Sequence, residues 1–513
     1  MFESGFLGGD GFRNSKGVYW MLKLATVFSG IGAVEHALKR MGINYEIVFA
    51  SDNGDVDILS RKIKSDIDEI RNSFSDLYNQ INDEIAEVDN NDEFTDILAK
   101  ARMLNEDFTE LTNNLFFDIN DKKCLKQLRE YAEKLSMLYE IFNTEKIHNH
   151  LSKMSDYKSK KAYVDALYES KEKQNKVKAS YFANYEIDNE RFHWNVSFID
   201  GHQYRNQVDL FVGGSPCQSF SLVGKQRGLD DTRGTLFYEY ARLVDEIQPK
   251  VFIYENVKAV LSNDNGKTWQ TMQRVFSELG YSWHFAVLNA KDYGIPQNRE
   301  RIFVIGFRND LVLENDFDFP PQTIELDKTM QDFLLDNVSG KYYLPVKGVE
   351  FVTSEKNLSK KYTQIDGDVA LCQKKNQQFN WHGDFVFVEE NHDMEKTMQD
   401  LEKYFLSEKV EKYVLATGTK NFYSRPKTDL TIARPLLTTM HKMHRAGVDN
   451  YVTTSGRLRK LTPRECLRLM GFCDSFQIVV SDTSMYQQAG NSIVVDVLIA
   501  ILKNIFKSVP LIL

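Results

Sequence analysis

Apolar and polar positions follow two different rhythms along this chain. From 22 to 52, LKLATVF is a short β-rich run, SGIGA a glycine turn, VEHALKRMG a helically spaced stretch, and YEIVFASD a second β-rich run closing on Asp52. Gly42 ends the helical stretch, where a left-handed cap is least costly for glycine. This predicts the βαβ unit that opens a doubly wound sheet. The rhythm then changes. Between 57 and 175, Ile63, Ile67, Ile70, Phe74, Leu77, Ile81, Ile85 and Val88 recur every three or four positions, as do Leu125, Leu128, Ala132, Leu135, Leu138 and Phe142. Such stripes predict a helical hairpin or short coiled coil that buries its own core. The α/β rhythm returns near 176. KASYFANY reads as helix, and VDLFVGG, KVFIYEN, WHFAVLN and RIFVIGF are apolar runs separated by helical stretches, as buried parallel strands require. From 309 to 455 aromatic, Lys and polar residues follow no period. NSIVVDVLIAILKNIF then reads as an apolar helix packing back on the sheet.

The expected fold class is therefore α/β: a doubly wound, mostly parallel sheet, a smaller mixed domain and an inserted α-helical subdomain. The boundaries follow the changes of rhythm: a flexible leader over 1–20, a first part of the sheet domain over 21–56, the helical insert over 57–175, a second part over 176–308, the mixed domain over 309–483 and a third part over 484–513. Several domains suit a chain of 513 residues. The first twenty residues lack the basic start and apolar centre of a signal peptide, and Met21 is an alternative start. No apolar run reads as long enough to span a membrane. The five cysteines (Cys124, Cys217, Cys372, Cys466, Cys473) form no C-x-x-C pair and no zinc spacing with histidine. Neither a disulfide framework nor a metal is expected, and a cytoplasmic location is.

A net charge of −9 argues at first against a nucleic-acid partner. Residues 56–175, however, hold about 25 Asp/Glu against about 18 Lys/Arg, which is most of the excess. The remainder is close to neutral and has room for a local basic face. Within the mixed region KTMQD occurs twice, at Lys328–Asp332 and Lys396–Asp400. Val338, Lys341 and Tyr342 follow the first copy, and Val410, Lys412 and Tyr413 the second. Coincidence and a duplicated element both account for this.

Chemistry concentrates in the α/β stretches. Phe28–Gly32 (FSGIG) follows the first strand, where glycines let backbone approach a nucleotide-like ligand at a helix N-terminus. Taken alone the turn serves structure equally well. Asp52 closes the second strand, where an acid can take ribose hydroxyls. GGSPCQSFS (Gly213–Ser221) follows the strand VDLFV and places Cys217 beyond its carboxyl end, which favours a reactive thiol over a buried one. KQRGLDDTRGT (Lys225–Thr235) is a basic, glycine-hinged loop suited to closing over a substrate. YENV brings Glu255 to the end of the next strand, and a buried carboxyl there needs a partner or a task. Alternation along QNRER puts Arg299 and Arg301 on one face, which an ordinary salt bridge also explains.

The ordered set PCQSFS, ENV, QNRERIFVIG, RKLTPRECLRLMGF and YQQAGNSIVV resembles the motifs of the cytosine-C5 DNA methyltransferase family, of bacterial or phage type. The resemblance covers 24–55, 176–308 and 455–500 and is absent from 57–175. It implies the fold of S-adenosylmethionine-dependent methyltransferases, with S-adenosyl-L-methionine held by Phe28, Gly30, Ile31, Gly32, Asp52, Pro216, Leu236 and Asn491. The acid that usually meets the adenine amino group falls at Asn195, whose amide oxygen can accept the same hydrogen bond. It further implies Cys217 as nucleophile, Glu255 on N3 and the exocyclic amine, and Arg301 on O2 with Arg299 in support. Gln218, Ser221, Lys225, Gln226, Arg227 and Arg233 of the loop, with Arg425 and Lys427 of the target-recognition region, are expected to meet DNA. The implied substrate is a cytosine flipped out of double-stranded DNA, and a cognate restriction endonuclease is the implied partner. Other readings are an RNA (tRNA) cytosine methyltransferase, a non-catalytic DNA-binding subunit, and an insert that serves self-association. The long recognition region favours duplex DNA over RNA. A subunit without activity would be expected to lack one of Cys217, Glu255 and Arg301.

Overall fold

The computed structural model describes residues 21–61, 67–86, 94–113, 122–215, 236–322, 326–334, 342, 344, 346–375, 381–387, 418–419, 422–423, 459–460 and 463–510. The chain divides into two compact units, one comprising Phe6–Val287, Arg301–Phe319 and Lys503–Leu513, the other Met1–Gly5, Leu288–Glu300 and Pro320–Leu502.

The first unit is built on β1 (Leu22–Val27), α1 (Ala33–Met41), β2 (Tyr45–Ser51), three helices of the insert, α2 (Ile67–Ala86), α3 (Thr95–Asn113) and α4 (Lys122–Ser152), then α5 (Tyr157–Tyr168), α6 (Lys176–Asn184), β3 (Phe192–His193), β4 (Leu210–Gly213), α7 (Leu236–Ile247), β5 (Val251–Val257), α8 (Lys267–Glu278), β6 (Tyr281–Asn289) and β7 (Glu300–Arg308). Seven strands form one sheet in the order β3-β2-β1-β4-β5-β7-β6. Strands β1 to β5 pair parallel to their neighbours, and β7 runs antiparallel to β5. The sequence order reverses between β1 and β4, which makes the crevice at their carboxyl ends the place for a ligand. The apolar runs form strands because both faces are covered: Phe211, Phe252, Tyr254 and Val304 join Phe237, Tyr240, Leu243, Met272 and Phe276 in one core. Gly42 caps α1 in the left-handed conformation, and its N–H reaches Leu38 O and Lys39 O.

The insert packs as a three-helix bundle rather than a hairpin. Ile70, Phe74, Leu77, Ile81 and Ile85 of α2 meet Leu128, Ala132, Leu135 and Phe142 of α4, and Ile97, Ala101 and Phe108 of α3 close the third side. The stripe of α3 is as regular as the others but diluted by polar neighbours, so the pattern alone hides it. Ile63 and Val88 lie outside the described residues. A separate cluster joins the end of the insert to the sheet domain: Leu151, Val164 and Tyr168 pack with Val56, Leu59, Trp194 and Phe198.

The second unit contains α9 (Val346–Val352), α10 (Glu355–Ser359), and a three-stranded sheet in which β9 (Gly383–Val386) lies between β8 (Thr363–Ile365), parallel to it, and β12 (Arg459–Lys460), antiparallel. It also holds the two-stranded β10 (Gly418–Thr419) and β11 (Phe422–Tyr423), followed by α11 (Pro463–Arg468) and α12 (Asp482–Asn491). The first KTMQD leads into a 3-10 turn, Met330–Phe333, and the second lies outside the described residues. Helix α13 (Val495–Ser508) crosses from this unit into the first. Its last turn meets the segment after β7, with Ser508 O accepting Glu314 N–H at 2.9 Å and Asn504 donating to Asp318 O at 2.9 Å. Contrary to expectation, one stretch, Asp482–Ser508, is long and apolar enough to cross a membrane by composition, with a mean hydropathy of 1.6. Its apolar window is 61% buried, as in a core helix, and the stretch breaks between α12 and α13.

Candidate active site

The first half of the site is the turn after β1. Phe28, Gly30 and Gly32 take φ of 52, 55 and 75°. For Phe28 this left-handed backbone costs on the order of 1 kcal/mol. It is held by Ser29, whose N–H and hydroxyl both reach Ser51 O at 3.1 Å. The Asp52 carboxylate ties two turns together, accepting Gly30 N–H at 2.9 Å and Gly54 N–H at 2.8 Å. Position 32 admits only glycine, since a Cβ there would lie 2.2 Å from the Tyr185 ring. The Tyr185 hydroxyl reaches the carbonyls of Ile31 (3.1 Å) and Gly32 (2.7 Å). Behind the turn, Glu35 of α1 is buried and receives the hydroxyls of Thr26 (3.2 Å) and Tyr181. Burial pushes its pKa up, which favours the neutral acid. Asn195 begins the 3-10 turn Val196–Phe198, accepts Ser197 N–H at 3.0 Å and donates to the Tyr168 hydroxyl at 3.2 Å. Leu236 starts α7, half-buried against the sheet core.

The second half lies at the ends of β4, β5 and β7. Glu255 Oε1 accepts from Arg301 Nε at 3.1 Å, with only 14% and 16% of the two side chains exposed. Antiparallel register explains the meeting: Glu255 stands opposite Phe303 and Val257 opposite Arg301, so Arg301 is the diagonal neighbour of Glu255 on one face. Tyr254 and Asn256 point the other way. Asn256 donates to Ser215 O (3.1 Å) and to the Tyr254 hydroxyl (2.8 Å), and that hydroxyl lies 2.7 Å from Ser215 Oγ. This buried knot fixes the last residue before Pro216. Gly214 passes so close that a Cβ would sit 2.9 Å from both Glu255 O and Glu255 Oε2. A carboxyl and a guanidinium presented together suit the polar edge of a planar ring.

Arg299 and Asn491 belong to the second unit. The expected alternation does not reach Arg299, because β7 starts at Glu300. Its guanidinium, 3% exposed, donates to Gln373 O (2.9 Å), Gly490 O (2.9 Å) and Ser492 O (2.8 Å), and so fastens the residues on either side of the exposed Asn491. The nearby Gln297 donates to Leu469 O at 2.8 Å and accepts Gln373 N–H at 3.1 Å. Pro216, Cys217, Gln218, Ser221, Lys225, Gln226, Arg227, Arg233, Arg425 and Lys427 lie outside the described residues. Sequence reasoning missed Asn175, Tyr168, Tyr185, Asn256 and Gly214. Three of these left a signal: Asn175 stands where a helix N-cap belongs, Asn256 sits inside ENV, and Gly214 inside GGSPCQSFS.

A doubly wound sheet with an antiparallel strand between β5 and β6, a glycine turn after β1 and polar side chains at the strand ends define an enzyme of the S-adenosylmethionine-dependent methyltransferase fold class. The model of the family C-5 cytosine-specific DNA methylase matches residues 160–507. The chain belongs to this family and is a DNA (cytosine-5-)-methyltransferase. It is 36% identical over 306 residues to the type II methyltransferase M.HhaI of Haemophilus parahaemolyticus, covering 58% of this chain and 76% of that protein. It is 30% identical over 393 residues to the orphan methyltransferase M.SPRI of Bacillus phage SPR, covering 64% and 88%. Among solved structures, the Dnmt2 methyltransferase of S. pombe aligns over 96% of this chain and 99% of that one, at 13% identity and a TM-score of 0.46.

Proposed function

We propose that the protein methylates C5 of a cytosine flipped out of a specific duplex DNA sequence, through a transient bond between Cys217 and C6, with S-adenosyl-L-methionine as donor. The Glu255–Arg301 pair carries this reading, at the strand ends beside Ser215, two residues before Cys217. The donor's adenosine half suits the turn at Gly30, whose Cβ side is open, closed from behind at Gly32 by Tyr185, together with Asp52 at the end of the second strand, an acid of the kind that takes ribose hydroxyls.

C5 of cytosine is a weak nucleophile. Addition of the Cys217 thiolate to C6 forms a C–S bond and moves the ring electrons toward C5 and N3. Glu255, as the acid, hydrogen-bonds N3 and takes up that developing charge, while its other oxygen accepts from the exocyclic amine. Arg301 donates to O2 and keeps the carboxyl oriented. S-Adenosyl-L-methionine, when bound, supplies the electrophilic methyl group that C5 accepts. A base removes the C5 proton, the electrons return, and the C–S bond breaks to release the thiolate. A base inside a duplex cannot reach such a pocket, so the cytosine must leave the stack, at a cost of a few kcal/mol. The loop Gln218–Arg233, with Lys225, Arg227 and Arg233, is the lid of this reading, and the recognition region with Arg425 and Lys427 selects the site. A cognate restriction endonuclease is a partner that the type II relatives suggest. The test is transfer of a labelled methyl group to unmethylated duplex DNA and to total tRNA. Transfer to DNA alone, lost in Cys217→Ala, supports the reading, and transfer to tRNA alone replaces it with the RNA one.

A further inference from the structure

Most of the helical insert precedes the family match, which begins at residue 160, and its tail, inside that match, stands directly behind the two side chains assigned to the adenosine of the donor. Asn175, where the insert rejoins the sheet domain, is 2% exposed and donates from Nδ2 to Asp52 O at 2.9 Å. Its Oδ1 accepts Lys178 N–H at 2.8 Å and so caps α6. Gly54, whose N–H holds the Asp52 carboxylate, passes under this amide, and a Cβ there would lie 2.1 Å from Asn175 Oδ1. Asp52 is thus fixed at its carboxylate by Gly30 and Gly54 and at its carbonyl by the insert. Tyr168, at the end of α5, does the equivalent for Asn195. It is 1% exposed, stacks on Trp194 with ring centroids 5.0 Å apart and 7° between planes, and takes the Asn195 amide hydrogen on its hydroxyl. Unlike a carboxylate, an amide has a donating and an accepting end, so it reads adenine usefully only when its orientation is held. Ser197 N–H on one side and the Tyr168 hydroxyl on the other hold it with the oxygen's second lone pair free for the adenine amino group. The tail is itself anchored to the sheet domain, through Lys160–Asp200 at 2.9 Å and Tyr157–His193 at 3.0 Å. His193 stays uncharged, because burial pulls its pKa down to about 3.

We propose that the tail of the insert, residues 157–175, is a working part of the donor site, in which Tyr168 positions Asn195 against the adenine and Asn175 positions Asp52 against the ribose. This rests on the assignment of Asp52 and Asn195 to adenosine. Neither Tyr168 nor Asn175 touches the donor; both act through the residue they hold. The insert is thereby more than an appended bundle. A change in its tail alters how tightly, and how selectively, the donor is held.

The test is calorimetric binding of S-adenosylhomocysteine to the full chain and to Tyr168→Phe and Asn175→Asp. Phe keeps the stack on Trp194. Asp keeps the cap on α6 but loses the N–H given to Asp52. Each protein is also titrated with S-inosylhomocysteine, which lacks the adenine amino group, and with the 2′,3′-dideoxyribose analogue. Tyr168→Phe should weaken S-adenosylhomocysteine about fivefold or more while S-inosylhomocysteine changes less than twofold, and Asn175→Asp should do the same relative to the dideoxy analogue. Equal weakening toward every ligand, or none, makes the tail a structural support only and overturns the proposal. A wild-type chain that binds no S-adenosylhomocysteine overturns the adenosine assignment, and the proposal with it.

Discussion

Gly214→Ala puts one methyl group between the strand that leads to Cys217 and the carboxyl of Glu255. The methyl carbon would lie 2.9 Å from Glu255 O and 2.9 Å from Glu255 Oε2, where ordinary contact begins near 3.4 Å. Something must therefore move by about half an ångström. The carbonyl is main chain of β5, a strand paired on both sides, so the side chain is the part that yields, away from Gly214 and against Arg301, which it meets at 3.1 Å. No positive φ is involved at this position, so the effect is contact and not backbone strain. Misplacing a catalytic group by about 1 Å costs about 100-fold, and half of that distance should lower kcat by about 10- to 100-fold. The glycine turn and Asp52 are untouched, so affinity for S-adenosylhomocysteine should stay within twofold. The assay is single-turnover methyl transfer to a saturating duplex, with calorimetry for the donor product. A Gly214→Ala protein that turns over like the wild type would refute the claim that the Glu255 carboxyl works in the position seen here.

Cys217→Ala should abolish methylation and leave DNA binding within severalfold, because flipping needs no thiol; electrophoretic mobility shift beside methyl transfer checks this, and retained turnover removes Cys217 as nucleophile. Glu255→Gln should lower kcat by about 100-fold or more with little change in donor affinity, and a pure affinity loss in calorimetry would mean its role is different. Asp384 of β9 is buried, accepts Leu371 N–H and Gln364 Nε2, and has its pKa pushed up to about 7 by desolvation. A carboxyl raised in the fold favours folding fully below its unfolded value of 3.8 and loses that contribution as pH climbs through 7. Asp384→Asn keeps the acceptances on Oδ1 but sets an amide N–H against Leu371 N–H, which Oδ2 accepts at 3.1 Å in the wild type; it should flatten the fall in Tm between pH 4 and 7, differential scanning fluorimetry across pH reads it, and an unchanged slope contradicts the buried charge.

What the sequence made legible was whatever buries continuous apolar surface or recurs at fixed spacing. VDLFVGG, KVFIYEN and RIFVIGF are strands because both faces of a doubly wound sheet are covered, and the glycine turn and Gly42 announced themselves by the backbone they need. Polar tethers were not legible, because their partners are remote in the chain. Asn175 meets Asp52 across 123 positions and Tyr185 meets Gly32 across 153, and no local pattern encodes either contact. Helix α3 escaped for another reason, since its three buried residues, Ile97, Ala101 and Phe108, are spaced among charges. Arg299 shows a limit of alternation: one residue before a strand begins, period two no longer applies, and its donors go to the carbonyls around Asn491.

Base-resolution bisulfite sequencing of DNA from a methylation-free bacterial host expressing the wild-type chain, beside Cys217→Ala, tests the central claim most directly. The account predicts protected cytosines in one short sequence context with the wild type and none with the variant. DNA left unmodified by a folded wild-type protein that binds S-adenosyl-L-methionine would contradict it.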